Sequence, residues 1–329
     1  MLIFQLIVNA TSQIYKYFAK KHYLRCLISS TLKMHYIFVI NGREDKSFIR
    51  QEVEQQISSL GIDYEFYVTT GEGDATRFVN IYCDLNPKKE TCFVACGGSG
   101  TTTEVASGIV GKGNKYLAIL TLSGTNDLTK CFPDRDFSNA AYITDGENLK
   151  IDALKVNDNY AINVVSVGMD AKAAYYANLF SADGLRNSYM KGILKAMAFD
   201  RMNRIKVIAD GEHMNRRNLL LASFANGQYY GGGFRCAPYA EFDDGLIDVC
   251  LMKNVPLFII AYAFKKYEQG LHLKRNFLLR RIFKYRQAKH IDLISKGLIY
   301  VNLDGEIIAS RQVSIDILDK SVNLIIPKK

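Results

Sequence analysis

The sequence of 329 residues lacks the signatures of several common protein classes. Its seven cysteines are an odd number without a C-x-x-C pair, and its five histidines show no H-E-x-x-H spacing, so neither a disulfide framework nor a zinc site is expected. No apolar run approaches the roughly 18 residues of a membrane-spanning helix. The apolar start lacks the basic segment and cleavage site of a signal peptide. These absences predict a soluble protein of the reducing cytoplasm.

Acidic residues are also absent from positions 1–33, although this segment contains five basic ones. Basic and apolar side chains alternate there, which would suit an amphipathic helix lying on a membrane. The other interpretation is an upstream start codon, with Met34 as the true beginning, because the first clear strand follows it directly. The second interpretation is the one we favour for this basic N-terminal extension.

The composition sets the broad class. Lys and Arg number 42 and Asp and Glu 33, a formal net charge of +9 that favours nucleotide phosphates, nucleic acid or an anionic membrane as partners. The length exceeds what one hydrophobic core usually organises, so two domains are expected.

The order of predicted elements changes near residue 150. Before it, β-rich runs at 35–40, 64–68, 91–95 and 117–122 alternate with helical spacing at 45–60, 74–85 and 101–110, which predicts βαβ units and a parallel sheet. After it, short strand-like runs separated by turns such as Asp304-Gly305 predict an antiparallel β-sandwich with one helical insertion near 188–199. The expected domains are therefore 34–152 and 153–329, after the extension at 1–33.

A glycine-rich loop follows the third predicted strand. Gly97-Gly98-Ser99-Gly100 leads into Thr101-Thr102-Thr103 at the start of a helix. Glycines let backbone N–H groups approach an oxyanion closely, and a helix N-terminus adds unsatisfied donors. The loop has no Walker lysine, and Thr103 stands where a dinucleotide fingerprint requires glycine. Phosphate binding explains the loop better than a tight turn without a ligand.

The stretch CGGSGTTTEVASGI (96–109) resembles the G-G-D-G-T-x-x-E-V-x-N-G signature of the diacylglycerol kinase catalytic family. Five further segments resemble family motifs in the same order: 120–128, 163–170, 184–195, 226–249 and Asp304-Gly305-Glu306. The resemblance implies a Rossmann-like nucleotide-binding α/β domain followed by an antiparallel β-sandwich that carries the lipid site.

The resemblance also implies which residues bind ATP. Asn41 ends the first predicted strand where the family has an Asn-Pro pair, and in this chain Gly42 replaces the proline. Thr69 could equally be a plain strand-end hydroxyl. The expected nucleotide contacts are Asn41, Thr69, Gly97, Gly98, Ser99, Gly100, Thr101, Thr102, Thr103, Gly124, Thr125 and Asn126.

Carboxylates are assigned to metal binding and catalysis by the same resemblance. Asp127 is the expected partner of a catalytic Mg²⁺. A separate structural Mg²⁺ is expected to bind Glu241, Asp244 and the carbonyl of Leu246. Asp304 and Glu306 are the candidates for the general base, with Asp304 preferred. Asn-Asp and Asp-Gly pairs are also ordinary turn residues.

The implied partner is a lipid with a free hydroxyl, phosphorylated by a cytoplasmic enzyme that associates peripherally with a membrane. The basic segment 265–289 is either a membrane-docking surface or a solvated face. No motif supports nucleic acid binding, and a homodimer is a further arrangement to test.

Two other functions stay open. Ser99 replaces a family aspartate, which would suit a nucleotide- or lipid-binding pseudokinase; NAD kinases share a similar loop, but the Gly231-Gly232-Gly233 block argues against them.

Overall fold

Parallel strands with connecting helices form the first half of the fold. The computed structural model describes residues 34–122, 126–180, 185–200, 203–216, 218–274 and 276–328, so the predicted extension at 1–33 lies outside the described residues. In this half the sheet order is β4-β3-β1-β2, all parallel. The strands are β1 His35–Ile40, β2 Asp63–Val68, β3 Thr91–Cys96 and β4 Lys115–Leu120, and the helices are α1 Lys46–Ile57, α2 Asp74–Leu85, α3 Ser99–Ile109 and α4 Ala140–Thr144.

Both faces of this sheet are covered by helices. All residues of β1 and β3 are buried, as expected of strands between two helical layers. Alternate residues point to opposite faces: Val39 and Ala95 belong to the core with α2 and α3, while Ile40 and Val94 belong to the core with α1. The predicted α/β arrangement is confirmed.

The second half is an antiparallel, sandwich-like domain, which also confirms the predicted fold class. Its core contains Val167 and Phe224 from neighbouring strands, with Leu293 and Val301 from one long strand. The strands are β5 Glu147–Val156, β6 Asn159–Ala161, β7 Val164–Gly168, β8 Lys206–Ala209, β9 Glu212–His213, β10 Leu219–Ala225, β11 Ile247–Lys253, β12 Phe283–Ala288, β13 His290–Leu303 and β14 Glu306–Ile326.

Helices are more numerous in this half than the sequence indicated. The prediction of a single helical insertion near 188–199 was wrong in number. The structure has α5 Met169–Leu179, α6 Leu185–Phe199, α7 Leu257–Glu268 and α8 Phe277–Ile282. Helix α7 was missed because its run LFIIAYAF is apolar on all sides, and such a run shows no helical period. Helices α5 to α8 share a hydrophobic core with β7, β10 and β11.

Strand β14 joins the two halves. It begins antiparallel to β13 at Glu306 and ends parallel to β4, where Asn323 to Ile325 pair with Tyr116 to Ala118. One strand therefore contributes to both sheets, and the C-terminal residues complete the first half. Two of the short strand-like runs of the sequence, at 290–294 and 298–301, form one strand with an irregular register between Ile294 and Ile299.

Helices α2 and α3 pack closely at Gly108, where a side chain would meet Val79. An added Cβ there would lie 2.5 Å from Cγ1 and 2.6 Å from Cβ of Val79. We expect Gly108→Ala to lower the free energy of unfolding by about 1–3 kcal/mol because the helices must separate. Chemical denaturation measures the change. Gly113→Ala is the control, because its Cβ would meet nothing within 4 Å. A Gly108→Ala protein as stable as the native chain would contradict the close contact.

Candidate active site

A cleft of about 700 Å³ lies where the carboxyl ends of the parallel strands meet the β13–β14 hairpin. Asn41, Thr69 and Thr101 line it from the first half. Tyr300 and Glu306 line it from the second half. Crevices at the carboxyl ends of parallel strands are the usual ligand sites of open α/β sheets.

The glycine-rich loop has free backbone donors beside this cleft. Helix α3 has Gly98 as its N-cap without a side-chain cap, and its first backbone hydrogen bond runs from Thr102 N to the Gly98 carbonyl (3.2 Å). The N–H groups in the first turn of a helix have no partner within the helix, which makes this end suitable for an anion. An added Cβ at Gly97 would lie 2.7 Å from Thr101 Oγ1, so the turn requires glycine there.

The three threonines after the loop have different contacts. Thr101 Oγ1 accepts a hydrogen bond from Asn41 Nδ2 (3.1 Å) and borders the cleft. Thr102 Oγ1 donates to the Gly98 carbonyl (3.3 Å) and accepts from Asn126 Nδ2 (2.8 Å). All three threonines are buried, but Thr101 is the one of them that lines the cleft. Of the three, Thr101 is therefore placed to reach a ligand, and the other two stabilise the loop.

Gly42 and Thr69 also line the cleft from the first half. Thr69 Oγ1 accepts from Gly42 N (3.0 Å), which occupies one of the two lone pairs of the hydroxyl in a strand-end turn. A Cβ at Gly42 would lie 2.1 Å from the Thr69 carbonyl oxygen. The close approach of the two chains thus explains a glycine at this position.

Asp304 is buried between the two halves. Its carboxylate accepts hydrogen bonds from the backbone N–H groups of Ile162 (2.8 Å), Asn163 (3.2 Å) and Val164 (2.6 Å) and from Thr103 Oγ1 (2.9 Å). Burial raises its pKa, and these donors act in the opposite direction. With both oxygens engaged, Asp304 serves as a link between α3 and the start of β7.

Glu306, two residues later, is half-buried and faces the cleft. Burial raises its pKa to about 7, and the negative charges of Glu104, Glu72 and Asp304 add to the increase. Glu104 itself accepts from Gly73 N and Ala75 N, both at 3.0 Å. No role was predicted for Glu72 or Glu104 from the sequence. The available signal for Glu104 was its place in the segment CGGSGTTTEVASGI (96–109).

Asn126 and Asp127 connect the loop to the glycine block of the second half. Asp127 accepts from Lys130 Nζ (2.7 Å) and from Gly232 N (2.8 Å) and is buried. Asn126 holds Thr102, as described above, and its Oδ1 accepts from Leu128 N (3.0 Å). Gly124 and Thr125, predicted nucleotide contacts, lie outside the described residues.

The predicted structural metal site falls on an acidic turn. Burial is the main cause that raises the pKa of Asp244, and the charge of Glu241 raises it further. Asp244 Oδ1 accepts from Leu246 N (2.9 Å), so the amide of Leu246 makes the contact. Within the described ranges, no three His, Cys, Asp or Glu side chains are grouped to hold a metal ion. The oxygens are of the type that Mg²⁺ prefers, but the metal assignment stays a prediction.

Comparison with known proteins agrees with this architecture. Residues 35–156 match the model of the diacylglycerol kinase catalytic domain, and residues 163–326 match that of the YegS C-terminal NAD kinase beta sandwich-like domain. Residues 35–156 therefore belong to the diacylglycerol kinase catalytic-domain family, and residues 163–326 belong to the YegS C-terminal domain family.

Relatives align with most of the chain. It is 25% identical over 273 residues to the diacylglycerol kinase of Bacillus subtilis (strain 168), covering 81% of this chain and 86% of that one. It is 29% identical over 233 residues to a probable lipid kinase YegS-like of Klebsiella pneumoniae (strain 342), covering 69% and 77%. A putative diacylglycerol kinase from Bacillus anthracis str. Sterne has the same fold, with a TM-score of 0.70 at 20% identity, covering 89% and 97%.

The hydrogen bonds of Asp304 predict a structural role. We expect Asp304→Asn to lower the free energy of unfolding by about 3 kcal/mol, because an amide nitrogen cannot accept from the backbone donors. Urea denaturation at pH 8 measures this. Glu306→Gln, in the same turn, should leave stability unchanged or raise it, since burial disfavours the ionised form of Glu306. Equal losses in both variants would contradict the distinction.

Proposed function

We propose that this chain is an ATP-dependent lipid kinase that transfers the γ-phosphoryl group of ATP to the hydroxyl of a diacylglycerol-like acceptor. The observation that carries the proposal is the cleft itself. The donor-rich N-terminus of α3 and the carboxyl group of Glu306 border the same space. The names of the relatives support the choice of a lipid acceptor.

The first half supplies the nucleotide site in this proposal. The amides of Ser99, Gly100 and Thr101 bind the phosphates, as unsatisfied N–H groups at a helix N-terminus do in other nucleotide sites. Arg43 lines the same cleft and brings a positive charge to the phosphates. Asn41 supports this site indirectly, since it holds the Thr101 hydroxyl.

Glu306 is the general base in preference to Asp304. The oxygens of Asp304 already accept four hydrogen bonds, whereas Glu306 faces the cleft and has a pKa of about 7. A base with a pKa near the working pH is close to optimal. The lipid oxygen forms a bond to the γ-phosphorus, the bond to the bridging oxygen of ADP breaks, and the hydroxyl proton passes to Glu306.

The proposed cofactor Mg²⁺ would neutralise charge on the ATP phosphates. Asp127 is the residue proposed to hold it near the loop, with Glu241, Asp244 and Leu246 at the separate structural site. Lys130 Nζ and Gly232 N donate to different oxygens of Asp127, which fixes the carboxylate and leaves a second lone pair on each oxygen for an ion.

The acceptor would approach from the wall opposite the loop. Tyr175, Leu179 and Ile308 provide apolar surface there, suited to the hydrocarbon part of a lipid. Across the described part of the chain, no helix is long and apolar enough to cross a membrane. Because the proposed acceptor is a membrane lipid, we propose that the enzyme works in the cytoplasm and reaches this lipid as a peripheral membrane protein.

A second candidate function rests on Ser99, the first residue of α3. Serine at this position has no charge to organise a metal through water, which would suit a pseudokinase that holds nucleotide without transfer. The Ser99→Asp protein separates the two functions. If the variant transfers phosphate to a lipid and the native chain transfers none, then the native chain is a binding protein and not an active kinase.

Glu306→Gln tests the proposed base. We expect kcat to fall by about 10²–10⁴-fold with little change in the KM for ATP, because the amide cannot accept the proton. In the native chain the rate should rise with pH up to about 7 and then level, since only ionised Glu306 accepts a proton. Steady-state assays between pH 5.5 and 8.5 measure both. The assignment of Glu306 as general base would be wrong if Glu306→Gln kept the native kcat, or if the rate of the native chain did not change with pH.

A further inference from the structure

The outward faces of α7 and α8 carry large apolar side chains in solvent. Phe258 is 77% exposed and Phe277 is 74% exposed, higher fractions than folding alone would favour for phenylalanine. The set forms what we name the apolar ridge: Leu257, Phe258, Tyr262, Phe277 and Leu278.

The ridge is separate from the side chains that hold the helices in place. On α7, Ile260, Ala263 and Tyr267 are buried, whereas Phe258 and Tyr262 stand one turn apart on the opposite side. On α8, Leu279 and Ile282 are buried. The buried residues of both helices belong to one hydrophobic core. Each helix therefore buries one face in that shared core and exposes another to solvent.

Positive charge surrounds the ridge. Between residues 253 and 289, Glu268 is the only acidic residue of the sequence. The guanidinium carbon of Arg281 lies 4.3 Å from the centroid of the Phe277 ring. This cation–π contact holds a positive charge beside an exposed aromatic side chain of the ridge. The basic collar, as we name it, consists of exposed cations: Lys265, Lys274, Arg280, Arg281 and Lys284.

We propose that the apolar ridge and basic collar dock the protein on the surface of an anionic phospholipid bilayer. Amphipathic helices with aromatic residues among cations bind at the boundary between headgroups and acyl chains. The collar complements anionic headgroups, while the ridge enters the boundary below them. A nucleic acid would match the cations but would offer no apolar region to Phe258 and Phe277. This docking rests on the peripheral membrane association proposed above and assigns its surface, while vesicle binding itself does not require phosphoryl transfer.

Sedimentation with vesicles in the absence of ATP tests the proposal. The full chain is mixed with vesicles of phosphatidylcholine alone or with 40 mol% phosphatidylglycerol, at low and high salt. We expect binding to the anionic vesicles that weakens as salt rises, because screening reduces the attraction of surface charges. Absence of binding to anionic vesicles at low salt would overturn the proposal, whether or not the chain is an active kinase.

Two double variants locate the surface. Phe258→Ser with Phe277→Ser should weaken vesicle binding at least ten-fold, about the effect of removing two phenylalanines from an apolar boundary. Ile81→Ser with Leu85→Ser is its control, since both side chains are exposed on α2. Lys265→Gln with Arg280→Gln should weaken binding roughly five-fold per cation. Lys88→Gln with Lys296→Gln removes the same net charge from exposed sites elsewhere.

The controls should bind vesicles as the native chain does. If a ridge or collar variant and its control lose vesicle binding equally, then binding depends on the total charge or apolarity of the surface and not on this site. That result would overturn the proposal. Analytical ultracentrifugation distinguishes another occupant. If the phenylalanine variant turns a dimer into a monomer and still binds vesicles, the ridge is an interface between copies and the proposal fails. Matching circular dichroism melts show that each variant is folded.

Discussion

The hydrogen bonds of the buried Asp304 carboxylate join the two halves of this protein. They tie Thr103, in the helix that begins at the glycine-rich loop, to the backbone from Ile162 to Val164 at the start of β7. Asp304 also begins the two-residue turn between β13 and β14, where it has φ 50° and Gly305 has φ 114°. Because Glu306 follows this turn, the same carboxylate fixes the position of the proposed base relative to the proposed phosphate site.

Strand β14 makes that link part of a continuous sheet. It leaves the Asp304 turn, pairs with β13 and β5 in the sandwich-like half, and ends beside β4 in the parallel half. The cleft therefore has walls from two domains that share a strand. Its donors come from the parallel half and its carboxyl group from the sandwich-like half, and both border the same space, as the proposed phosphoryl transfer would require of a nucleotide and a base.

Local pattern was sufficient where local chemistry decides the structure. Strand His35–Ile40 and helix Asp74–Leu85 have the bounds that the sequence predicted, and the glycines of the loop identified a helix N-terminus. The roles of Asp304 and Glu306 could not be separated in this way. Asp304 contacts Thr103 across 201 positions of the chain. The pKa of Glu306 is raised first by burial and then by the charges of Glu104 and Glu72, which the fold brings near. Such long-range contacts leave no mark on local periodicity.

In the proposed reaction, this cleft joins a nucleotide phosphate to a lipid hydroxyl. To test the reaction, the full chain is incubated with ATP labelled in its γ-phosphate and a total lipid extract, and the label is followed into the chloroform phase. We expect a labelled phospholipid that requires both protein and lipid. Label that reaches only water or NAD, or that stays in ATP at every pH from 6 to 9, would contradict it.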